Sequence, residues 1–182
     1  ETYEFLINDF MWDGDIANPV VLNTGSSYSC GDPHWGMTNI IGDETNPFGT
    51  IDYAFGMIFP TNNNQITINL ASGIYSPSIF GNCQYNMEVF PIIMSSNINL
   101  IGQGEEATIL DAEGTGGVIL MENCQNNIIS DLTITGGLCE SPCNGGGGIN
   151  LTGSNPNLTN VTISGNSADY AGGMRVRSSN PI

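Results

Sequence analysis

Positive charge is almost missing from this chain. Its 182 residues contain no lysine and only two arginines, Arg175 and Arg177, against 18 acidic residues, so the formal net charge at pH 7 is -16. Binding to nucleic acids or to anionic membrane surfaces depends on clustered Lys and Arg side chains. The composition therefore argues against both partners and favours a protein that stays soluble in a salty or acidic medium.

Long apolar runs and catalytic motifs are also missing. No run approaches the length of a membrane span, so we expect no membrane insertion. The single histidine, His34, is next to Trp35, and this pair suggests a sugar-binding or catalytic site. A loop anchored by a buried tryptophan is favoured instead, because no second histidine supports such a site. Asp9, Asp13 and Asp15 could hold calcium, yet their spacing does not fit an EF-hand loop, so an Asx-rich turn is favoured. We expect no catalytic, cofactor-binding or metal-binding residue in this chain. Calcium is expected only as a counter-ion to the acidic side chains.

What the chain does contain is an internal repeat. Ile129–Gly136 matches Leu158–Gly165 position for position at an offset of 29, and Gly147–Pro156 matches Gly172–Pro181 at an offset of 25. The first copy carries four extra residues in the segment that separates its two blocks. The underlying unit is therefore about 25 residues with a local loop insertion, and repeats of this size indicate a stacked architecture.

The residues within each unit indicate strands. Apolar residues alternate with Thr, Ser or Asn, as in Leu132 and Ile134 of one copy and Val161 and Ile163 of the next, and this period of two is typical of a β-strand. The runs are short and end in Gly, Asn or Ser, which leaves no room for a helix between them. The sequence thus predicts an all-β fold, a parallel β-helix whose strands return in register one unit later.

Two motifs in the repeat resemble those of a known group of proteins. They are the Gly-rich turn Gly146–Ile149 and the segment Ile163–Ala168, which is followed by Gly172 and Gly173. They are similar to the repeats of right-handed, pectin-lyase-like parallel β-helix proteins of the bacterial surface, among them polymorphic outer-membrane proteins and large secreted β-helix proteins of Bacteroidetes-like bacteria. The resemblance implies a right-handed β-helix and an extracellular or cell-surface location.

The N-terminal part does not show the repeat. We assign residues 1–46 to a cap and loop region and residues 47–182 to the β-helix. Residues 48–59 are predicted to be a helix, because Thr50 can serve as its N-cap and Pro60 ends the run. The segment resembles the helix that plugs the N-terminal end of many right-handed β-helices, so we expect it to cover the first coil.

The predicted helix has one apolar stripe. Ile51, Ala54 or Phe55, and Ile58 recur at helical spacing, and this face is expected to lie on the first rung at 65–70. Further strands are predicted at 90–94, 98–101, 108–110 and 118–121, and then in the repeat. Asn126, Asn127 and Asn155 to Asn157 precede repeated strands, where stacked asparagines can form hydrogen-bonded ladders.

The C-terminal residues fall where a further strand should begin. Pro181 and Ile182 follow the last repeat block directly, so we expect that the coil continues in a longer chain. An uncovered last rung also predicts self-association along the solenoid.

The five cysteines suggest an oxidising location. Cys139 and Cys143 lie in the inserted loop, and a disulfide closing that loop is favoured over a zinc site, because no second cysteine pair or histidine pair supports zinc. Cys30 with Cys83 is a candidate for a second bridge, which would leave Cys124 buried and free. The odd number leaves this second pairing open.

Two functions remain open at this point. Arg175 and Arg177 are two residues apart and so project from one face of their strand, where they could meet the carboxylate of a uronate sugar. Asp111 and Asp131 are candidates for a hydrolase pair by residue type alone, and Asn160 at the position equivalent to Asp131 favours a turn role instead. We expect a non-catalytic, structural and adhesive segment that contacts polysaccharides or cell-surface glycans. The alternative is the N-terminal part of a polysaccharide lyase or glycoside hydrolase whose active site lies beyond residue 182.

Overall fold

The computed structural model describes residues 20–22, 48, 50–77, 88–143 and 145–182, with the backbone alone for 20–22. Within these residues one helix and thirteen strands were found. In chain order they are β1 (Val20–Leu22), α1 (Ile51–Met57), β2 (Ile66–Leu70), β3 (Gly73–Tyr75), β4 (Ile92–Ile93), β5 (Ile98–Ile101), β6 (Thr108–Asp111), β7 (Ile119–Glu122), β8 (Ile128–Thr135), β9 (Leu138–Cys139), β10 (Ile149–Thr152), β11 (Asn157–Ile163), β12 (Ser167–Ala168) and β13 (Met174–Arg177).

All paired strands run parallel, and they stack into a β-solenoid of about three turns. One face is formed by β1, β2, β5 and the first halves of β8 and β11. A second face is formed by β3, β6 and the second halves of β8 and β11. The third face has the order β4, β7, β10, β13. The predicted all-β solenoid with parallel strands is confirmed.

The strand register reproduces both repeat offsets. Ile128 pairs with Asn157, an offset of 29, and Ile149 pairs with Met174, an offset of 25. Elsewhere the offset varies from 24 between β6 and β8 to 48 between β1 and β2. The repeat unit of about 25 residues thus corresponds to the register of the β10–β13 pair. In the other coils, loops of different length between the strands make the offset different.

A tight corner lets β8 and β11 each serve two faces. Asp131 and Asn160 stack at this corner with φ of 57° and 51°, in the left-handed region that Asp and Asn tolerate best among residues with a side chain. Gly102 lies on the rung below, and a Cβ there would contact the carbonyl oxygen of Asp131. Only glycine therefore fits beneath this corner.

The interior is one continuous apolar column along the axis. Inward-facing side chains of successive rungs are fully buried, among them Ile68, Leu70, Leu100, Leu110, Met121, Ile129, Leu132, Ile134, Ile149 and Leu151. Burial decreases at the rung of β13, where Val176 is 46% exposed. In the part of the chain that the structure describes, no helix is long and apolar enough to cross a membrane.

The helix is shorter than expected, but the predicted apolar stripe of Ile51, Ala54 and Ile58 is buried. It spans Ile51–Met57 rather than 48–59, and Ile58 already has extended backbone. Ile51 and Ala54 are completely buried, whereas Phe55 is only partly buried against the core. The helix lies next to β1, and the small side chain of Ala54 packs in the apolar cluster. Of the two residues proposed for this position, Ala54 is the buried one.

Candidate functional site

The two arginines lie together on the outer side of β13. Arg175 is beside Asn150 of the neighbouring strand and Arg177 is beside Thr152. The guanidinium of Arg175 lies 5.2 Å from the ring centroid of Tyr170, which is 69% exposed. This contact is a cation–π pair. Within the described residues neither guanidinium forms an ion pair with a carboxylate, so this end of the third face presents two positive charges and an aromatic ring to solvent.

The predicted disulfide joins Cys139 and Cys143, with the two Cα atoms 5.2 Å apart. The Cys139 Sγ also accepts a hydrogen bond from the amide of Gly145 at 3.0 Å. Cys124 is buried and free, as expected from the sequence. Cys30 and Cys83 lie outside the described residues, as do His34 and the aspartates near position 13.

The disulfide-closed loop forms one wall of a groove of about 570 Å³ on the third face. Leu120 and Pro91 contribute apolar surface, and Glu122 and Glu140 contribute carboxylates. Asn150 belongs to the same lining and connects the groove to Arg175 through the β10–β13 register. We name this the disulfide groove. It places apolar, acidic and amide groups near the arginine pair.

Asparagines form a second polar surface at the corner that precedes the first face. Asn97 donates to Asn62 through its side-chain amide at 3.3 Å, and Asn126 donates to Asn97 at 2.9 Å. Asn97 and Asn126 have φ of 64° and 58°, so both the side chain and the backbone conformation suit asparagine at this turn. The asparagine ladder expected from the sequence is thus confirmed at Asn126, and it extends to Asn97 and Asn62.

The two aspartates considered for hydrolysis form turns in different places. Asp131 accepts hydrogen bonds from Asn160 at 2.8 Å and from Ser130 at 2.7 Å. These two bonds, the one from Asn160 first, lower the pKa of Asp131 below its usual value. Asp111 accepts from the backbone amide of Glu113 at 2.9 Å. Both carboxylates therefore stabilise corners.

Glu88 is a buried carboxylate that the sequence did not reveal. Both of its oxygens lie 3.0 Å from the backbone amide of Ile51, the first residue of α1, and the side chain is 4% exposed. Burial raises its pKa to about 7, although the amide hydrogen bonds oppose that rise. The hydroxyl of Tyr75 donates to the carbonyl of Ala71 at 3.2 Å, and burial together with the nearby Glu88 charge raises the Tyr75 pKa. The spacing of 37 residues between Ile51 and Glu88 gives no sequence signal for this contact.

No group of three His, Cys, Asp or Glu side chains that could hold a metal ion was found among the described residues. Comparison of the chain with protein-family models, with curated proteins and with solved structures gave no match.

Proposed function

We propose that this chain is a structural and adhesive β-solenoid of a secreted or cell-surface bacterial protein, and that its rigid outer faces contact glycans without catalysis. The observation that carries the proposal is the stacking of outward-facing side chains into columns. On the third face Ile93, Leu120, Asn150 and Arg175 follow one another across four strands in register. Such columns repeat at the strand spacing of about 4.8 Å and form a regular, rigid surface.

Two further features support this proposal. The Cys139–Cys143 disulfide lies on an external loop, and disulfides persist in oxidising compartments such as the periplasm and the cell exterior. The net charge of -16 keeps the protein soluble outside the cell and opposes its binding to polyanions. The resemblance of the repeats to those of right-handed bacterial surface β-helices also supports the proposal.

Bead attachment tests the proposal. Beads coated with the chain are passed over immobilised mannan, xylan and pectate and over intact bacterial cells, and the retained fraction is compared with beads that carry the reduced, heat-unfolded chain. We expect higher retention of the folded chain on at least one surface, with no soluble sugar released. Equal retention of folded and unfolded chain on every surface contradicts adhesion, and release of sugar contradicts a non-catalytic role.

A second candidate is part of a uronate-cleaving enzyme. Arg175 and Arg177 favour it, because two guanidinium groups without a carboxylate partner in the described chain can bind a uronate. Glu122 and Glu140 in the adjacent disulfide groove supply carboxylates on the same face. One measurement distinguishes the two functions: a uronate-cleaving lyase releases unsaturated product from pectate, and an adhesive solenoid does not.

A further inference from the structure

A groove lined mostly by amide side chains runs along the corner that carries the asparagine ladder. Its volume is about 530 Å³, and every residue that lines it is Asn or Gln except Ile128 and Ile182. It contains no Asp, Glu, Lys or Arg, although the chain carries a net charge of -16. The absence of charged side chains makes this surface, which we name the amide groove, different from the acidic surface of the chain as a whole.

The ladder explains only part of this composition. Asn62, Asn97 and Asn126 bond to one another from rung to rung. The strand register places Asn155 on the next rung, at the offset of 29, but its Oδ1 accepts the backbone amide of Asn180 instead of continuing the ladder. Gln125 is exposed beside it. The ladder therefore ends at Asn126, and the next two amides of the lining bond to backbone groups instead: Gln125 donates to the carbonyl of Gly153 at 3.2 Å, and Asn155 accepts from Asn180. The Gln125 Oε1 and the Asn155 Nδ2 take no part in these bonds.

One member of the groove is a buried amide with an unused acceptor. Asn127 is 3% exposed, and its Nδ2 donates to the carbonyls of Ser95 at 2.7 Å and Ile98 at 2.8 Å. Its Oδ1 has no hydrogen-bond partner within the described part of the chain. A buried acceptor without a donor costs free energy. This Oδ1 is buried behind the wall of the groove that Asn127 lines, so a ligand in the groove does not reach it unless the side chain moves.

The chemistry of the lining selects the class of ligand. Each amide offers two N–H donors and a carbonyl acceptor, which complement hydroxyl groups that both donate and accept. A negatively charged ligand would find no cationic side chain in this groove, and a cation would find no carboxylate side chain. The four rungs from Asn62 to Asn155 span about 14 Å at a strand spacing of about 4.8 Å, a length comparable to a trisaccharide. Uncharged sugars therefore match the groove in both chemistry and length.

We infer that the amide groove binds an uncharged polysaccharide chain that lies parallel to the solenoid axis, with sugar hydroxyls bonded to the exposed amides of Gln125 and Asn155. The inference rests on the proposed adhesive function and names a ligand class and a site for it. The arginine pair is on a different face and takes no part.

Isothermal titration calorimetry on the whole chain tests the inference. The probes are cellohexaose, mannohexaose and laminarihexaose as neutral chains and hexagalacturonate as an acidic one. The variant is Gln125→Ala combined with Asn155→Ala, because both side chains are exposed and outside the three-asparagine ladder. The matched control is Gln103→Ala, an exposed amide outside the groove. An unchanged far-ultraviolet circular dichroism spectrum shows that each variant is folded.

We expect at least one neutral hexasaccharide to bind the parent chain. The double variant should bind it with an affinity about tenfold or more lower, because hydrogen bonds are lost, and the control should change the affinity by less than about twofold. Equal affinity of the double variant and the parent would overturn the groove assignment. Binding of hexagalacturonate alone would also overturn it while leaving an adhesive function intact. If no probe binds and the coated beads are not retained, both proposals fail.

Discussion

Replacement of Ile51 by alanine tests whether α1 stabilises the N-terminal end of the solenoid. Ile51 is the first residue of α1 and is completely buried in the same apolar cluster as Ile68 and Leu70 of β2. The change removes three carbons, worth about 2.4 kcal/mol at roughly 0.8 kcal/mol each, and leaves a cavity whose cost adds to that value. We expect the free energy of unfolding to fall by about 3 kcal/mol.

The same helix offers a control with the opposite sign. Gly56 is exposed inside α1, and a Cβ added there would have no atom within 4 Å. Gly56→Ala therefore introduces no clash and should stabilise the protein by about 0.5 to 1 kcal/mol, because alanine loses less backbone entropy in a helix. Phe55→Ala should cost less than Ile51→Ala, since Phe55 is only partly buried.

Urea unfolding followed by circular dichroism measures these differences. Because solenoids can open rung by rung, hydrogen exchange should be measured as well. In Ile51→Ala we expect protection to fall first in β2 at Ile66–Leu70, as it must if α1 covers the first coil. An unchanged urea midpoint in Ile51→Ala, or lost protection only at β13, would refute the cap role, and a destabilised Gly56→Ala would refute the helix geometry.

Three other measurements follow from the structure. The folded-state pKa of Glu88 is raised from 4.5 to about 7, so its contribution to stability is greatest below pH 4.5 and is lost as the pH rises through 7, by about 3 kcal/mol at most. Urea titrations at several pH values should show this decline in the parent protein and not in Glu88→Gln. Equal pH profiles of the two proteins would contradict it. Mass spectrometry of the non-reduced digest should find Cys139 and Cys143 in a bridged peptide, and recovery of both as alkylated thiols without reduction would disprove the bond. Incubation with pectate and calcium should give no rise in ultraviolet absorbance, whereas a rise that disappears in Arg175→Ala would favour the lyase alternative.

The repeat itself made the solenoid predictable. Alternation of apolar and polar residues is a local property, so Ile98–Ile101 was expected as a strand and is one, and the offsets of 29 and 25 are the observed registers. The N-cap at Thr50 is likewise local, because its hydroxyl bonds to an amide three residues along the chain. The Cys139–Cys143 bridge was predictable because both cysteines share one short inserted loop.

The contacts that the sequence could not give join residues that are far apart in the chain. Helical periodicity allows either Ala54 or Phe55 to face the core, and only the packing of α1 on the rest of the fold decides that it is Ala54. The carboxylate of Glu88 meets Ile51 across 37 residues, which no local pattern encodes.

The sequence by itself determined the strands of the repeat, their turn residues and the disulfide, because each follows from neighbours along the chain. It did not predict β1, which lies in the segment assigned to a cap and loop region. The tertiary structure alone decided which side chains share a surface. The stacking of Asn62, Asn97 and Asn126 requires loops of unequal length to return to the same corner, and the pairing of Arg175 with Tyr170 requires a particular turn before β13. Loop lengths set the register of successive rungs, and the register sets which polar groups meet.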